Sequence, residues 1–152
     1  MSMTKNMNLE GLLGYRLKKT QHALRIAMDD ALKSIGLTTP GYAVLAQLEL
    51  ESGISNAELA RRSFITAQTM HGIVSNLENR DLIKRKSSNS HGRILPLELT
   101  KKGQKIVSSA HEIIRIVETR MLSTIKDEHK VLMESLLIEC FNNLNCKARD
   151  LI

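Results

Sequence analysis

Gln68, Thr69, His71, Ser75 and Asn76 bring amide, hydroxyl and imidazole groups together in one short stretch. These are the groups that hydrogen-bond base edges and phosphate oxygens in a nucleic-acid groove. At about 100° per residue, a helix through this stretch gathers Gln68, His71, Gly72, Ser75 and Asn79 on one side. Met70, Ile73, Val74 and Leu77, at i, i+3, i+4 and i+7, fall on the other side and form an apolar stripe. An ordinary solvated face is rich in Glu and Lys, and this one is not. Taken alone, these residues leave two readings open: a surface that reads DNA, or a merely polar helix face.

Other chemistry is poorly supported. Cys140 and Cys146 lie six apart in the last helical stretch, and His22, His71, His91, His111 and His129 are scattered, so no zinc-ligand spacing exists. Both cysteines are expected to be buried, inert thiols. No phosphate-cradling glycine loop and no paired nucleophile and base are present. No enzyme activity, metal or cofactor is expected.

The flanking residues build a frame for the polar face. Ser55-Asn56-Ala57-Glu58 has the form of a capping box, predicting a short helix Asn56 to Arg62 with Ser55 as N-cap. Ser63 to Ile65 is a short linker, and Thr66 can cap the next helix, so two helices meet as a helix-turn-helix requires. Asp81-Leu82-Ile83 ends the second helix, and residues 83–86 can pair with residues 93–99 across the turn-rich segment 87–92, giving a β-hairpin. Pro96, which lacks a ladder donor, predicts an outer strand of this small wing.

Charge follows the same segment. The 152 residues carry a net +6. Between Arg61 and Lys105, ten basic residues face only Glu78, Asp81 and Glu98, leaving the rest of the chain near −1. A basic segment coincident with a helix-turn-helix is the footprint of a polyanion binder, DNA being the simplest.

On either side stand long amphipathic stretches. Leu9 to Ile35 reads as one helix with Leu13, Leu17, Leu24, Met28, Ala31, Leu32 and Ile35 along it, stopped by Gly36. A second runs from Lys101, capped by Thr100, to about Lys126 with Ile106, Ala110, Ile113, Val117, Met121 and Ile125 as its stripe. A third runs from Asp127 to about Lys147. So much apolar surface needs a partner, and a homodimer supplies one; intramolecular packing as a bundle is the alternative. A content of 42% hydrophobic residues suits one compact domain. No membrane-spanning run or signal peptide is evident, so a cytoplasmic protein is expected.

Residues 37–103 resemble the winged helix-turn-helix of the MarR family of bacterial transcription regulators. The resemblance rests on Leu37-Thr38-Thr39-Pro40-Gly41-Tyr42-Ala43-Val44-Leu45, on Glu58-Leu59-Ala60-Arg61-Arg62, and on Asn76-Leu77-Glu78-Asn79-Arg80-Asp81-Leu82-Ile83. Arg93 with Leu97, Leu99 and Thr100 matches the wing signature. One departure is that His91 stands where the family usually has an acidic residue two before the wing arginine.

The resemblance implies a mainly α protein with a β-hairpin wing: a DNA-binding lobe over 37–103 and dimerisation helices over 8–36 and 104–148. It implies a homodimeric regulator on a pseudopalindromic operator, with half-sites ~34 Å apart. Thr66, Ala67, Gln68, Thr69, His71, Gly72, Ser75 and Asn76 would face the major groove. Lys84, Arg85, Lys86, Ser88 and Asn89 would mainly meet phosphates, Arg61 and His91 would contact DNA from the flank and the wing, and Arg93 would enter the minor groove. A small aromatic or anionic effector is implied in a crevice to which Tyr15, Arg16, His22 and Tyr42 contribute. The rival reading is a winged-helix module that docks a protein without reading DNA.

Overall fold

The structure is a computed structural model and describes residues 9–86 and 96–145. In chain order a 3-10 turn, Leu9–Gly11, precedes α1 (Leu13–Leu32), a second 3-10 turn (Lys33–Ile35), α2 (Thr39–Leu50), α3 (Asn56–Arg62) and α4 (Ala67–Asn79). Then come β1 (Ile83–Arg85), β2 (Leu97–Leu99), α5 (Lys101–Met121) and α6 (Asp127–Asn145). This is the mainly helical, winged helix-turn-helix architecture that the patterns predict.

The expected single helix from Leu9 to Ile35 is divided. Leu12 is extended at the start of α1 and offers no side-chain cap, and Gly11 and Gly14 weaken helix formation around it. At the other end the chain tightens to 3-10 geometry before Gly36. Similarly, α5 stops at Met121 rather than continuing to about Lys126.

Three helical segments end by one device. Leu37 N–H donates to Leu32 O, Ile65 N–H to Ala60 O, and Leu82 N–H to Leu77 O, each accompanied by a second bond, spanning three residues, from the amide just before it. This is the paired-bond stop that needs a left-handed residue just past the helix. Gly36 fills that position with φ 67°, but Phe64 and Asp81 fill the other two with φ 56° and 58°. A side chain in that conformation costs about 1–3 kcal/mol, with Asp tolerated better than a bulky residue.

The core collects residues from α1 to α5 and from both strands, within the first compact unit, which ends at Val117. Leu32, Val44, Leu45, Leu59, Met70, Val74, Leu77, Leu97, Val107 and Ala110 are all buried. On α4 the buried positions are Met70, Val74 and Leu77, as the stripe predicts, while Ile73 is half-buried. On α5 the inward positions are Gly103, Val107, Ala110, Ile114 and Val117. The expected stripe is therefore rotated: Ile106 and Ile113 sit beside the core rather than at its centre. Gly103 sets this rotation, because a β-carbon there would lie 1.9 Å from Leu82 O.

In the wing, Ile83 pairs with Leu99, Lys84 with Glu98 and Arg85 with Leu97. Lys86 N–H donates to Pro96 O at 2.7 Å. The expectation that the Pro96 strand is outermost is not met. Leu97 N–H donates to Ile54 O, and Gly53 N–H donates to Leu97 O, so β2 lies between β1 and the 53–54 segment. Proline is tolerated there because its neighbour Leu97, not Pro96, carries the second ladder. Residues 93–95 of the expected strand lie outside the described residues.

The second unit begins at Glu118. Its helix α6 starts at Asp127, as expected from the acidic first turn, and Lys130 pairs with Asp127 at 2.8 Å. No residue of α6 is buried in the single chain.

Candidate nucleic-acid interface

Local capping aims α4. Thr66 Oγ1 accepts from Thr69 N–H at 3.1 Å, and Ser55 Oγ accepts from Glu58 N–H at 3.2 Å to begin α3. Such caps stabilise a helix start by about 1 kcal/mol each. Asn56 Nδ2 donates to Ala67 O at 3.5 Å, tying the start of α3 to the start of α4. With its apolar stripe locked into the core, α4 presents Ala67, Gln68, Thr69, His71, Gly72, Asn76 and Asn79 as exposed residues and Ser75 as half-exposed. A β-carbon at Gly72 would meet nothing within 4 Å, so close approach by an external surface is sterically open there.

The reciprocal half of the predicted capping box is absent, because the Glu58 carboxylate is taken by arginines. Arg61 donates to both Glu58 oxygens, at 2.9 and 2.6 Å, and Arg62 Nε donates to it at 2.6 Å. The hydrogen bonds from Arg61, then those from Arg62, hold the Glu58 carboxyl down at about 2. Arg62 also reaches Glu51 at 2.7 Å. Lys84 pairs with Glu98 at 3.1 Å and Arg85 with Glu78 at 2.9 Å. Pairs this open to water contribute little, because water and salt compete for both partners. Arg61, Lys84 and Arg85 can therefore exchange a carboxylate for a phosphate at little cost.

Arg80 behaves differently from the other basic residues. Its guanidinium donates to Gly36 O at 2.6 Å, and Lys102 Nζ donates to Arg80 O at 2.8 Å. The end of α4 is thus fastened to the corner before α2 and to the start of α5. Beside this fastening lies a cavity of about 330 Å³ lined by the Gly36–Gly41 corner and by Thr69, Gly72, Ile73, Asn76 and Arg80. Of the wing candidates, Ser88, Asn89, His91 and Arg93 lie outside the described residues; Lys86 is described and exposed.

The four crevice candidates divide. On α1, Arg16 Nε donates to Glu10 O at 3.1 Å, Lys19 Nζ lies 5.8 Å from the Tyr15 ring centre, and His22 is exposed. On α2, Tyr42 is half-buried, and its hydroxyl lies 2.9 Å from Nδ1 of His111 on α5. His111 Nε2 lies 2.7 Å from Glu49 Oε2. Glu49 lies seven positions after Tyr42, so the two share a helix face, but nothing local in the sequence joins them to His111, which is distant in the chain. Cys140, expected to be buried, is exposed on α6 in the single chain, and Cys146 lies outside the described residues. Among the described residues no group of three metal-binding side chains occurs, and no helix is long and apolar enough to cross a membrane.

A family model described as "MarR family" matches residues 35–94. The HTH-type transcriptional repressor Rv2887 of Mycobacterium tuberculosis is 34% identical over 128 residues, covering 82% of this chain and 92% of that protein. The solved structure of Rv2887 in complex with salicylic acid superposes with a TM-score of 0.73 at 32% identity, covering 85% of this chain and 96% of that one. The transcriptional repressor CouR, solved bound to a 23-mer DNA duplex, superposes with a TM-score of 0.81 at 26% identity, covering 91% of this chain and 99% of that one.

Proposed function

The chain belongs to the MarR family of winged helix-turn-helix regulators, and from that premise we propose that it is a transcriptional repressor, acting as a homodimer on a pseudopalindromic DNA site. The observation that carries this reading is the exposed hydrogen-bonding face of α4, with Gln68, Thr69, His71 and Asn76 outward and Met70, Val74 and Leu77 fixed inward. Thr66 and Ala67 at the helix start, Gly72 and half-exposed Ser75 complete the face. These groups read base edges in the major groove. Arg61, Lys84, Arg85, Lys86, Ser88, Asn89 and His91 are assigned to the DNA backbone, and Arg93 to the minor groove. Occupancy of a promoter then excludes RNA polymerase.

Residues 37–103 form the DNA-binding lobe, and 8–36 with 104–148 the dimerisation helices. On α6 Leu132, Leu136, Leu137 and Phe141 are exposed in the single chain, as are Leu13 and Leu17 on α1. Apolar faces of this extent mark an interface, and a second copy of the chain covers them. The same cover would bury Cys140. The protein acts on the chromosome, in the cytoplasm, by binding rather than by turnover.

A small aromatic anion is the effector class supported by the salicylic acid complex of the related repressor. Tyr15, Arg16, His22 and Tyr42 are the residues assigned to its crevice. Such a ligand releases DNA only by favouring a geometry that does not bind DNA. A protein-docking module is disfavoured, because the outer face of α4 is polar rather than apolar.

The test is retention of genomic duplex fragments by the full-length protein at two salt concentrations, with sedimentation to count protomers. Selective retention of a palindromic fragment by a dimer, falling steeply with salt, is expected. Equal, weak retention of every fragment would overturn the reading.

A further inference from the structure

Arg80 caps the end of α4 and is gripped through both its backbone and its side chain. Its carbonyl accepts from Lys102 Nζ at 2.8 Å, a residue in the first turn of α5. Its guanidinium donates to Gly36 O at 2.6 Å and reaches Ile35 O at 3.5 Å. A planar fork suits two successive carbonyls in a way that a lysine ammonium does not. The same corner is held from α1, where Asp29 Oδ1 accepts from Thr39 N–H at 2.7 Å at the start of α2. One half-buried residue therefore joins the end of α4 to the corner that follows α1 and to the start of α5. Those two helices belong to the proposed dimer frame.

A dimer that reads two half-sites must hold its two α4 helices about one turn of DNA apart. One base pair more or fewer between the half-sites moves one of them by about 3.4 Å and turns it by about 34°. A rigid dimer discriminates against that change, and a loose one does not. Resting on the DNA-reading dimer argued above, we propose that Arg80 is a positioning residue that fixes the angle of α4 against α1 and α5, and thereby the half-site spacing the dimer accepts. Although it stands in the basic segment, Arg80 neutralises no phosphate in this role, so its loss leaves the salt dependence of binding unchanged.

The experiment uses a duplex selected by the full-length wild-type protein from a random pool, together with the same duplex carrying one base pair more or fewer between its half-sites. Wild type, Arg80→Lys, Arg80→Gln and Lys102→Met are titrated on all three at several salt concentrations. Wild type is expected to bind the altered spacings about tenfold more weakly than the selected one. Arg80→Lys and Arg80→Gln should bind the selected duplex about tenfold more weakly, hold all three spacings within about threefold of one another, and keep the wild-type salt slope. Lys102→Met, which leaves the guanidinium untouched and loosens α4 from α5, should flatten the spacing preference too, and it carries the test if the Arg80 variants fail to fold. A phosphate contact would instead leave Arg80→Lys near wild type and lower the slope by about 1 in Arg80→Gln, overturning the proposal. A lower melting temperature with every spacing weakened equally would reduce Arg80 to a structural role and overturn it as well. Failure of the wild type to select any paired site would overturn the dimeric DNA-reading function itself.

Discussion

The Tyr42 hydroxyl lies 2.9 Å from His111 Nδ1, and the rings meet edge to face with centres 5.5 Å apart, so α2 and α5 are joined by a polar contact between half-buried side chains. With His111 neutral, Nδ1 accepts the hydroxyl proton while Nε2–H donates to Glu49 Oε2 at 2.7 Å. Removing the hydroxyl in Tyr42→Phe, or the imidazole in His111→Phe, should each cost about 1 kcal/mol. The double variant should cost less than the sum, because the two side chains share one bond. Urea unfolding of the four proteins measures the coupling. Additive losses would mean that the contact contributes nothing.

Gly103 packs α5 directly against the backbone at Leu82, just before β1. A β-carbon there would lie 1.9 Å from Leu82 O and 2.9 Å from Leu82 C, both backbone atoms that cannot rotate away. Leu82 N–H is already committed to Leu77 O, and Leu82 O accepts from Thr100 N–H at 3.1 Å. Gly103→Ala should therefore cost about 3 kcal/mol or more, although alanine improves the helix propensity of an exposed site by about 1 kcal/mol. Thermal unfolding distinguishes the two signs directly.

What was legible beforehand follows from how local the signal is. Ser55 and Thr66 cap the helices that their sequence positions predict, and Met70, Val74 and Leu77 face inward, because capping and periodicity act within one or two turns. The rotation of α5 about Gly103, the placement of β2 beside Ile54 and the fastening of Arg80 to Gly36 were not legible. Each depends on a backbone atom supplied from far along the chain. Arg80 shows the limit well: by composition it is one more basic residue in a basic segment, yet two carbonyls before α2 hold its guanidinium. The ends of α3 and α4 fall where the sequence places them, but Phe64 and Asp81 hold the left-handed position that glycine usually marks, so the form of these stops was not legible.

Glu58 ties acid stability to the arginines beside the proposed DNA face. Its carboxyl is held at about 2, below its ordinary 4.5, by bonds from Arg61 and Arg62. A carboxyl with a depressed folded value stabilises the fold above 4.5 and loses that contribution as pH falls from 4.5 towards 2. Wild type should therefore lose stability over that window, and Glu58→Gln should lack this part of the loss. Because the pairs are near the surface, added salt should shrink the difference. A wild-type and variant pair with parallel acid-unfolding curves at low salt would contradict the assignment.

Base reading and phosphate binding should separate by variant. Gln68 is exposed on α4, and an amide that bonds a base edge in two places discriminates against the wrong base by about 1–3 kcal/mol. Gln68→Ala should thus weaken binding to the selected site while sparing unrelated duplexes, flattening preference at one position in each half-site. Lys86 is exposed beyond β1, and a lysine that meets a phosphate releases about one counterion. Lys86→Ala should weaken binding to every duplex alike and lower the slope of log affinity against log salt by about 1. Lys84, which already pairs with Glu98, must exchange that partner on binding, so Lys84→Ala should have a smaller effect than Lys86→Ala. Titrating the three variants on the selected and an unrelated duplex at several salt concentrations resolves all three. A uniform loss for Gln68→Ala, matching that of Lys86→Ala, would show that α4 lies against the backbone and reads no base there.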